Sequence, residues 1–262
     1  LFGGRGADTI VVGADNGGYY GDEIDATLGN DTIDFSGVSD TTYVWMDYES
    51  LIDGAVTFNI NSVTNVSTIV AAGFTDTLTN VRRILEGEGL GLEGSENNDI
   101  YNVTNGYGEW LELSGNGGDD VFNLTVGGTI RLSYTWGANG SPFTGLEINL
   151  ATGTVANDGL GGQDTINILG GDGQIEVRGT NHNDTMIGSN RNETFITQYG
   201  DDTVDGGGGF DRVRYDRSGV DSVFVDLDAE EAVVNWDGNI FYDTLTSIEH
   251  VRGSRQGDDE IL

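Results

Sequence analysis

Acidic residues recur at a fixed interval of nine in the second half of the chain, and this register limits the possible folds more than any other feature. The acids are Asp184, Glu193, Asp202 and Asp211, and each is followed two positions later by an apolar residue: Met186, Phe195, Val204 and Val213. Asp22 and Asp31 repeat the same step. A short fixed period predicts a repeat architecture, here a turn followed by a short strand. Side chains alternate along a strand, so the apolar residue is expected to face the core.

Two nonapeptides in each coil would bring every second acid of the register onto the same edge of such a repeat. Asp184 would then stack with Asp202, and Glu193 with Asp211. Two carboxylates that share a site repel each other unless a cation lies between them. The register therefore predicts both a stacking geometry and a requirement for positive charge.

Short apolar stretches elsewhere alternate with polar residues and are bounded by Gly, Asn and Asp. Residues 55–60 and 222–227 are examples. This pattern is typical of many short strands, and helical signals are nearly absent. We expect an all-β chain: a parallel β-roll or β-solenoid whose acidic turns are interleaved with longer strand-rich spacer units.

A longer period divides the chain into three related blocks. Their markers are Asp76-Thr77-Leu78, Asp164-Thr165-Ile166 and Asp243-Thr244-Leu245, and each marker leads to an acidic Gly turn. Repeats run up to both ends, so we expect residues 1–262 to be one elongated array cut from a longer one. The predicted turns are residues 1–35, 94–124, 179–211 and 253–262, and the predicted spacers are residues 36–93, 125–178 and 212–252.

The charge balance excludes several partners. There are 44 acidic and 11 basic residues, for a net charge of −33. Such a chain repels nucleic acids and anionic membranes, and no apolar run is long enough for direct membrane insertion. Cysteine is absent, which leaves neither disulfides nor thiolate sites. Dissolved cations are the expected partners, because compact folding requires the surplus charge to be neutralised.

Glycines recur five and two positions before the acids. Ca²⁺ takes six to eight oxygen ligands, among them backbone carbonyls, and glycine permits the φ > 0 turns that point carbonyls inward. The acid would complete the shell with its carboxylate. The candidate ligands for several Ca²⁺ ions are Gly3, Gly4, Gly6, Asp8, Asp22, Gly29, Asp31, Asp99, Gly115, Gly118, Asp120, Gly179, Asp184, Gly188, Glu193, Gly200, Asp202, Gly206, Gly207, Gly209, Asp211, Gly257 and Asp259.

These turns resemble the RTX nonapeptide family, whose pattern is Gly-Gly-x-Gly-x-Asp, any residue, then an apolar one. Residues 3–10 and 206–213 match it fully, and the other turns are degenerate. The resemblance implies a parallel β-roll with Ca²⁺ between successive turns, and folding after type I secretion from a Gram-negative cell. Glu193 replaces Asp, while Asn97 and His182 replace a glycine. We expect fewer or weaker sites at these departures.

Some acids and aromatic residues have simpler explanations. Isolated acids such as Asp164 and Asp243 are expected to form Asx turns with their own backbone. The aromatic residues of the spacers are expected in the core or over its ends, with a sugar-stacking surface as the alternative. His182 and His250 show no partner pattern for acid–base chemistry, so we expect no enzyme.

The function expected from the sequence is a secreted or cell-surface Ca²⁺-binding structural module of an adhesin, surface layer, filament or matrix protein. Its partners would be Ca²⁺ together with either further copies, joined end to end, or an extracellular polysaccharide. Two alternatives stay open: an accessory module of a secreted polysaccharide-active enzyme, and a glycan-binding module.

Overall fold

The structure is a computed structural model that describes residues 6–13, 22–25, 29–48, 54–71, 73–135 and 141–262. It is nearly all-β, with 49% of residues in strands and 3% in helices, and its long sheets consist largely of parallel strands. The predicted fold class, an all-β parallel β-roll or β-solenoid, is confirmed at this level. The chain divides into two compact units: Leu1–Arg131 with Asp164–Gly173, and Leu132–Gln163 with Gln174–Leu262.

The described elements are short, as expected for strands between closely spaced turns. They are β1 (Thr9–Val11), β2 (Asp22–Asp25), β3 (Thr32–Asp34), β4 (Tyr43–Asp47), β5 (Thr57–Asn61), β6 (Val66–Ala71), β7 (Phe74–Thr79), α1 (Val81–Leu85), β8 (Gly89–Glu93), β9 (Ile100–Asn105), β10 (Trp110–Ser114), β11 (Val121–Val126), β12 (Thr129–Ser133), β13 (Glu147–Asn149), β14 (Thr154–Asn157), β15 (Asp164–Gly170), β16 (Gln174–Arg178), β17 (Thr185–Ile187), β18 (Glu193–Ile196), β19 (Thr203–Asp205), β20 (Arg212–Arg214), β21 (Val220–Asp226), β22 (Glu231–Trp236), β23 (Asn239–Thr246), β24 (His250–Arg252) and β25 (Glu260–Ile261). A 3-10 turn spans Phe35–Gly37.

In the first unit, the strands fall into a larger and a smaller sheet. The larger has the order β1-β3-β7-β6-β5-β9-β11-β15, and the smaller has the order β2-β4-β8-β10-β12. The chain passes repeatedly from one sheet to the other, as in β9, β10 and β11, so a simple coil adds one strand to each sheet. Neighbours from successive coils are parallel, for example Val121 opposite Ile100.

The second unit repeats this arrangement with the orders β14-β13-β17-β19-β23-β22-β21-β25 and β16-β18-β20-β24. Thr185 pairs with Thr203 in the larger sheet, and Thr194 pairs with Arg212 in the smaller one. Each pair joins equivalent positions two repeats apart, as the register predicts for two nonapeptides per coil.

The spacers join the larger sheets as antiparallel meanders. In the first unit, β5, β6 and β7 pair antiparallel with one another, while β7 pairs parallel with β3 and β5 pairs parallel with β9. In the second unit, β21, β22 and β23 form the same pattern between β25 and β19. Each of these meanders therefore adds three strands to the larger sheet of its unit.

The apolar residues of the nonapeptides lie in the core, as predicted. Met186, Phe195, Val204 and Val213 are all completely buried. In the first unit, three aromatic rings stack through successive coils, with ring centroids 4.6 Å apart between Phe58 and Tyr101 and 4.7 Å between Tyr101 and Phe122. Identical positions of parallel coils lie directly above one another, so side chains of one kind form columns.

The spacer aromatics are divided between the core and the surface. Tyr48, Tyr134 and Trp236 are buried, whereas Trp45 and Trp110 are half-buried and Tyr242 is 63% exposed. The expected core position therefore holds for Tyr48, Tyr134 and Trp236, and Tyr242 lies at the surface. Trp136 lies outside the described residues.

The helices that the structure describes are short. In the described part of the chain, α1 has five residues, and no helix there has the length and apolar character of a membrane span.

Candidate metal-binding turns

The acids predicted to stack in the second unit are joined by hydrogen bonds between successive coils, and we call such a series a ladder. The backbone N–H of Asp184 donates to Oδ1 of Asp202 (2.9 Å), and the N–H of Asp202 donates to Oδ1 of Asp243 (3.0 Å). Leu146 N–H donates to Oδ1 of Asp184 (2.7 Å) at the other end. Each carboxylate thus binds the backbone of the neighbouring coil just before a strand of the larger sheet begins.

The first unit contains two ladders of the same kind. In one, Asp8 N–H donates to Asp31 (2.8 Å) and Asp31 N–H donates to Asp76 (3.0 Å). In the other, Val56 N–H donates to Asp99 (2.6 Å), and Asp99 N–H donates to Asp120 (2.7 Å). Asp120 N–H in turn donates to Asp164 (3.0 Å). The acids are buried except for Asp8, which is partly exposed.

A shorter ladder runs along the smaller sheet of the second unit. Glu193 N–H donates to Oδ1 of Asp211 (2.7 Å), and Asp211 N–H donates to Oε2 of Glu249 (2.8 Å). The two nonapeptide edges predicted from the sequence, Asp184 with Asp202 and Glu193 with Asp211, are therefore both present.

Residues just before the acids form a second, more exposed ladder. Oδ1 of Asn183 accepts the N–H of Asp201 (3.0 Å), and Oδ1 of Asp201 accepts the N–H of Tyr242 (2.8 Å). Oδ1 of Asn98 accepts the N–H of Asp119 (3.0 Å) in the same way. The frequency of Asn and Asp at this position was visible in the sequence, but their structural role was not predicted.

Close packing explains the glycines of the turns more directly than backbone conformation alone. A Cβ added at most of these positions would overlap a carboxylate or carbonyl oxygen of a neighbour, namely at Gly29, Gly94, Gly115, Gly118, Gly179, Gly188, Gly200, Gly206, Gly207, Gly209 and Gly257. At Gly115 the obstructing atom is Oδ2 of Asp120, and at Gly179 it is Oδ2 of Asp184. The glycine five positions before an acid therefore makes room for that acid.

The glycine two positions before an acid lies against the preceding coil. Gly118, Gly200 and Gly209 have φ of +106°, +132° and +143°, and they pack against the carbonyl groups of Asn97, His182 and Arg191. Positive φ is as predicted here, and Gly6 shares it with a φ of +149°. A carbonyl group of one coil thus packs against the turn of the next coil, two residues before the acid of that turn.

Four turns contain a hydroxyl group that binds their own acid. We call residues 94–99, 179–184 and 188–193 the hydroxyl turns; Ser95, Thr180 and Ser189 stand four positions before the acid in them. Thr180 Oγ1 donates to Oδ1 of Asp184 (2.6 Å), and its N–H donates to Oδ2 (2.8 Å). The fourth case is the longer turn in which Ser254 Oγ donates to Asp259 (2.9 Å).

In the second unit, two turns lack this hydroxyl, and we call these two, residues 197–202 and 206–211, the open turns. Oδ2 of Asp202 and Oδ2 of Asp211 have no hydrogen-bond partner among the described residues. Asp202 is 1% exposed and Asp211 is fully buried. A buried carboxylate oxygen without a donor is costly, and such an atom is a natural position for a cation.

Burial makes the ladder acids hard to ionise. It raises the pKa of Asp99 and Asp184 to about 6, and that of Glu193 to about 7. The pKa of Asp202 lies well above its ordinary value because of burial, to which the nearby charges of Asp243 and Asp184 add. A bound cation would lower the pKa of these acids, because it favours their ionised form.

The oxygens of the turns suit a hard cation such as Ca²⁺, because they are carboxylate and carbonyl oxygens. The described residues contain no group of three or more His, Asp or Glu side chains arranged for a metal. A site here would therefore combine one or two carboxylates with backbone carbonyls. Asp202 and Asp211 fit this requirement best, since each has a buried oxygen that lacks a donor.

Some candidate residues lie beyond what the structure describes. Gly3 and Gly4 are outside the described residues, and Asp22 is described only as part of the backbone of β2. Asp259 lies in the exposed turn before β25, and its Oδ1 accepts Val223 N–H (2.9 Å). Gly257 packs against the carbonyl of Asp221.

The expectation of local Asx turns at Asp164 and Asp243 is wrong in its emphasis, because both acids are members of the ladders. They accept the N–H groups of Asp120 and Asp202, and Asp76 occupies the equivalent position in its own ladder. The signal that was missed is that the block markers share the tripeptide Asp-Thr-apolar with the nonapeptide acids; it begins at residues 8, 31, 76, 164, 184, 202 and 243. Inter-coil bonds prevail because parallel coils present a free N–H at this edge.

Comparison with known proteins adds no assignment. No family model matches the chain, and no curated protein is significantly similar to it.

Proposed function

We propose that this chain is an extracellular structural module whose acidic turns bind several Ca²⁺ ions between stacked coils. In this proposal it belongs with the RTX-type repeats, and it is exported from a Gram-negative cell to serve in an adhesin, surface layer, filament or matrix. It carries out no catalysis. Its further partners are other copies joined end to end or an extracellular polysaccharide.

One observation supports the metal most strongly: Oδ2 of Asp202 is buried, belongs to a stacked acid and has no hydrogen-bond donor among the described residues. Asp184 and Asp243 lie on either side of it in the ladder. Three acids in one column repel one another when ionised, and the whole chain carries a charge of −33. A divalent cation relieves both the missing bond and the repulsion.

Control of folding by Ca²⁺ follows from this electrostatic balance. Where Ca²⁺ is scarce, as inside a cell, the ionised acids oppose stacking and the chain stays loose enough for export. Where Ca²⁺ is abundant, its binding free energy becomes folding free energy, because the site forms only when coils stack. The module then stays rigid only outside the cell.

The two histidines support a role without catalysis. Nε2 of His182 lies 2.8 Å from the carbonyl oxygen of Pro142, and Nδ1 of His250 accepts a hydrogen bond from Nε of Arg212 (2.8 Å). Acid–base catalysis requires the reacting group within such reach, and these bonds bind the imidazoles to structural neighbours instead.

A Ca²⁺ titration followed by far-UV circular dichroism tests the proposal, with Mg²⁺ and a chelator as controls. We expect the β signal to grow with Ca²⁺ alone and to fall in part on chelation, because the meander acids have their own hydrogen-bond donors. A β signal of full strength in chelator, together with no bound Ca²⁺ by calorimetry, would overturn the proposal. Light scattering in Ca²⁺ would test end-to-end association, and a strict monomer would remove that part.

A further inference from the structure

The second unit pairs each hydroxyl turn with an open turn on the next coil of the same edge. The turn of Asp184 lies next to that of Asp202, and the turn of Glu193 lies next to that of Asp211. In both pairs the acid of the hydroxyl turn donates its backbone N–H to the acid of the open turn. Each of these two edges therefore carries one hydroxyl turn beside one open turn.

In a hydroxyl turn, the chain itself supplies the hydrogen bonds that the acid requires. Asp184 accepts three: from Thr180 Oγ1, from Thr180 N–H and from Leu146 N–H. The same hydroxyl accepts the N–H of His182 (3.1 Å), which closes the turn upon itself. Glu193 accepts both the hydroxyl and the N–H of Ser189 in the same manner.

In an open turn, these donors are missing. Gln198 and Gly207 stand where Thr180 and Ser189 stand in the hydroxyl turns, and neither carries a hydroxyl. Asp202 and Asp211 each accept one backbone N–H on Oδ1, while Oδ2 has no partner among the described residues. The acid of an open turn therefore lacks the two donors that the residue four positions before it supplies in a hydroxyl turn.

We infer that the Ser or Thr hydroxyl takes the place of a cation in its own turn, so that Ca²⁺ binds at the open turns, one ion for each pair of turns. This inference rests on the proposed function and sharpens it. Asp202 and Asp211 are the carboxylate ligands, while Asp184 and Glu193 are held by hydrogen bonds. The carbonyl groups of His182 and Arg191 pack against Gly200 and Gly209, two positions before these acids, and are of the chemical type that Ca²⁺ takes as further ligands.

The pair Asp184 and Asp202 offers a matched test with isosteric substitutions. Asp202→Asn keeps an oxygen for the Asp184 N–H and replaces the oxygen that has no donor. It should remove one bound Ca²⁺ by calorimetry and leave the melting temperature in chelator unchanged or higher. Asp184→Asn places an amide against the donors of Thr180. It should leave the number of bound ions unchanged and lower the melting temperature in chelator.

Two substitutions at Thr180 distinguish the effect of the hydroxyl from that of side-chain shape. Thr180→Val removes the hydroxyl and keeps the branched shape, whereas Thr180→Ser keeps the hydroxyl and removes the methyl group. Removing the hydroxyl should lower the melting temperature in chelator by about 3–6 °C, whereas Thr180→Ser, which keeps it, should lower it by less than about 2 °C. Far-UV circular dichroism in Ca²⁺ verifies that each variant is folded.

The outcomes distinguish this inference from the proposed function. If the unmodified chain binds no Ca²⁺, the proposed function and the inference both fall. If it binds Ca²⁺ but Asp184→Asn and Asp202→Asn each remove the same number of ions, the turns contribute equally. The inference is then overturned while the proposed function stands.

Discussion

Asp202 and Asp243 occupy successive positions in one ladder, yet their carboxylates are stabilised differently. Asp202 lies in a turn, and its Oδ2 has no donor among the described residues. Asp243 lies in the meander strand β23, where Tyr215 OH donates to its Oδ2 (2.8 Å). In the meander, the second carboxylate oxygen of the acid accepts a hydrogen bond from a buried tyrosine. In the open turn, the second oxygen has no donor among the described residues, so a partner for it would come from solution. The meanders and the turns should therefore differ in their dependence on Ca²⁺.

The first unit contains the same device. Tyr48 OH donates to Oδ2 of Asp76 (2.9 Å), and Asp76 lies in the meander strand β7. The separation along the chain between tyrosine and acid is the same in both units (76 − 48 = 243 − 215). The spacers thus repeat a specific buried pair as well as a strand pattern, and under the proposed function this pair would make them less dependent on Ca²⁺ than the turns.

The largest difference between the regions is expected from added volume in a turn. Gly115→Ala would place a methyl group on Oδ2 of Asp120, whereas Gly170→Ala, at the end of the spacer strand β15, meets open space. We expect Gly115→Ala to lower the free energy of unfolding by about 3 kcal/mol and Gly170→Ala to change it by less than about 0.5 kcal/mol. Urea denaturation in Ca²⁺ measures both, and equal costs would remove the packing explanation for the turn glycines.

Chelation should separate the regions within the second unit. At a Ca²⁺ concentration 100 times the dissociation constant, one ion contributes about 2.7 kcal/mol, or roughly 100-fold in amide protection. Hydrogen exchange in chelator should therefore speed up in β18, β19 and β20 by about that factor. The meander strands β21, β22 and β23 should change much less, and a uniform loss across both sets would contradict the comparison.

Removal of the tyrosine hydroxyl should affect the meanders alone. Tyr215→Phe leaves a buried carboxylate oxygen of Asp243 without its donor, at a cost of about 2 kcal/mol in both Ca²⁺ and chelator. Tyr199→Phe is the matched control, because Tyr199 OH also donates to an acid, Asp237 (2.7 Å), but at the surface. The control substitution should cost much less, because water can replace a hydrogen bond that is lost at the surface. A cost for Tyr215→Phe that appears only in chelator would mean that the meander acid also responds to Ca²⁺.

The smallest expected effect is a dependence on pH in chelator. Burial raises the pKa of Asp76 to about 6 and that of Asp243 to about 7, so the folded state binds protons that the unfolded state has released. Stability from these groups is complete below the unfolded pKa of about 3.9 and is lost as the pH rises through 6 and 7. Lowering the pH from 7.5 to 6 should therefore add about 1.5 kcal/mol from these two groups.

The control for this pH dependence is Asp243→Asn, which cannot be protonated in this range. Thermal unfolding in chelator should show a flatter pH profile for this variant than for the unmodified chain. A stability that instead increased between pH 6 and 7.5 would contradict the raised pKa values. It would indicate that these acids are stabilised in their ionised form without metal.

The sequence alone was sufficient to predict the coil. Two nonapeptides make one coil because acids at a nine-residue interval must alternate between two edges, and the pairs Thr185 with Thr203 and Thr194 with Arg212 confirm this. Burial of Met186 and Val204 follows from the alternation of side chains along a strand. These features were predictable because a short regular period allows few arrangements in space.

The tertiary structure decided the features that depend on residues far apart in the chain. Only the assembled sheets show that β21, β22 and β23 extend the larger sheet, that Tyr215 reaches Asp243, and that a hydroxyl turn lies next to an open turn. A local pattern determines which residues turn and which face inward, because those properties follow from backbone geometry. It does not determine which donor meets a carboxylate from another coil, because that contact exists only once the coils have stacked.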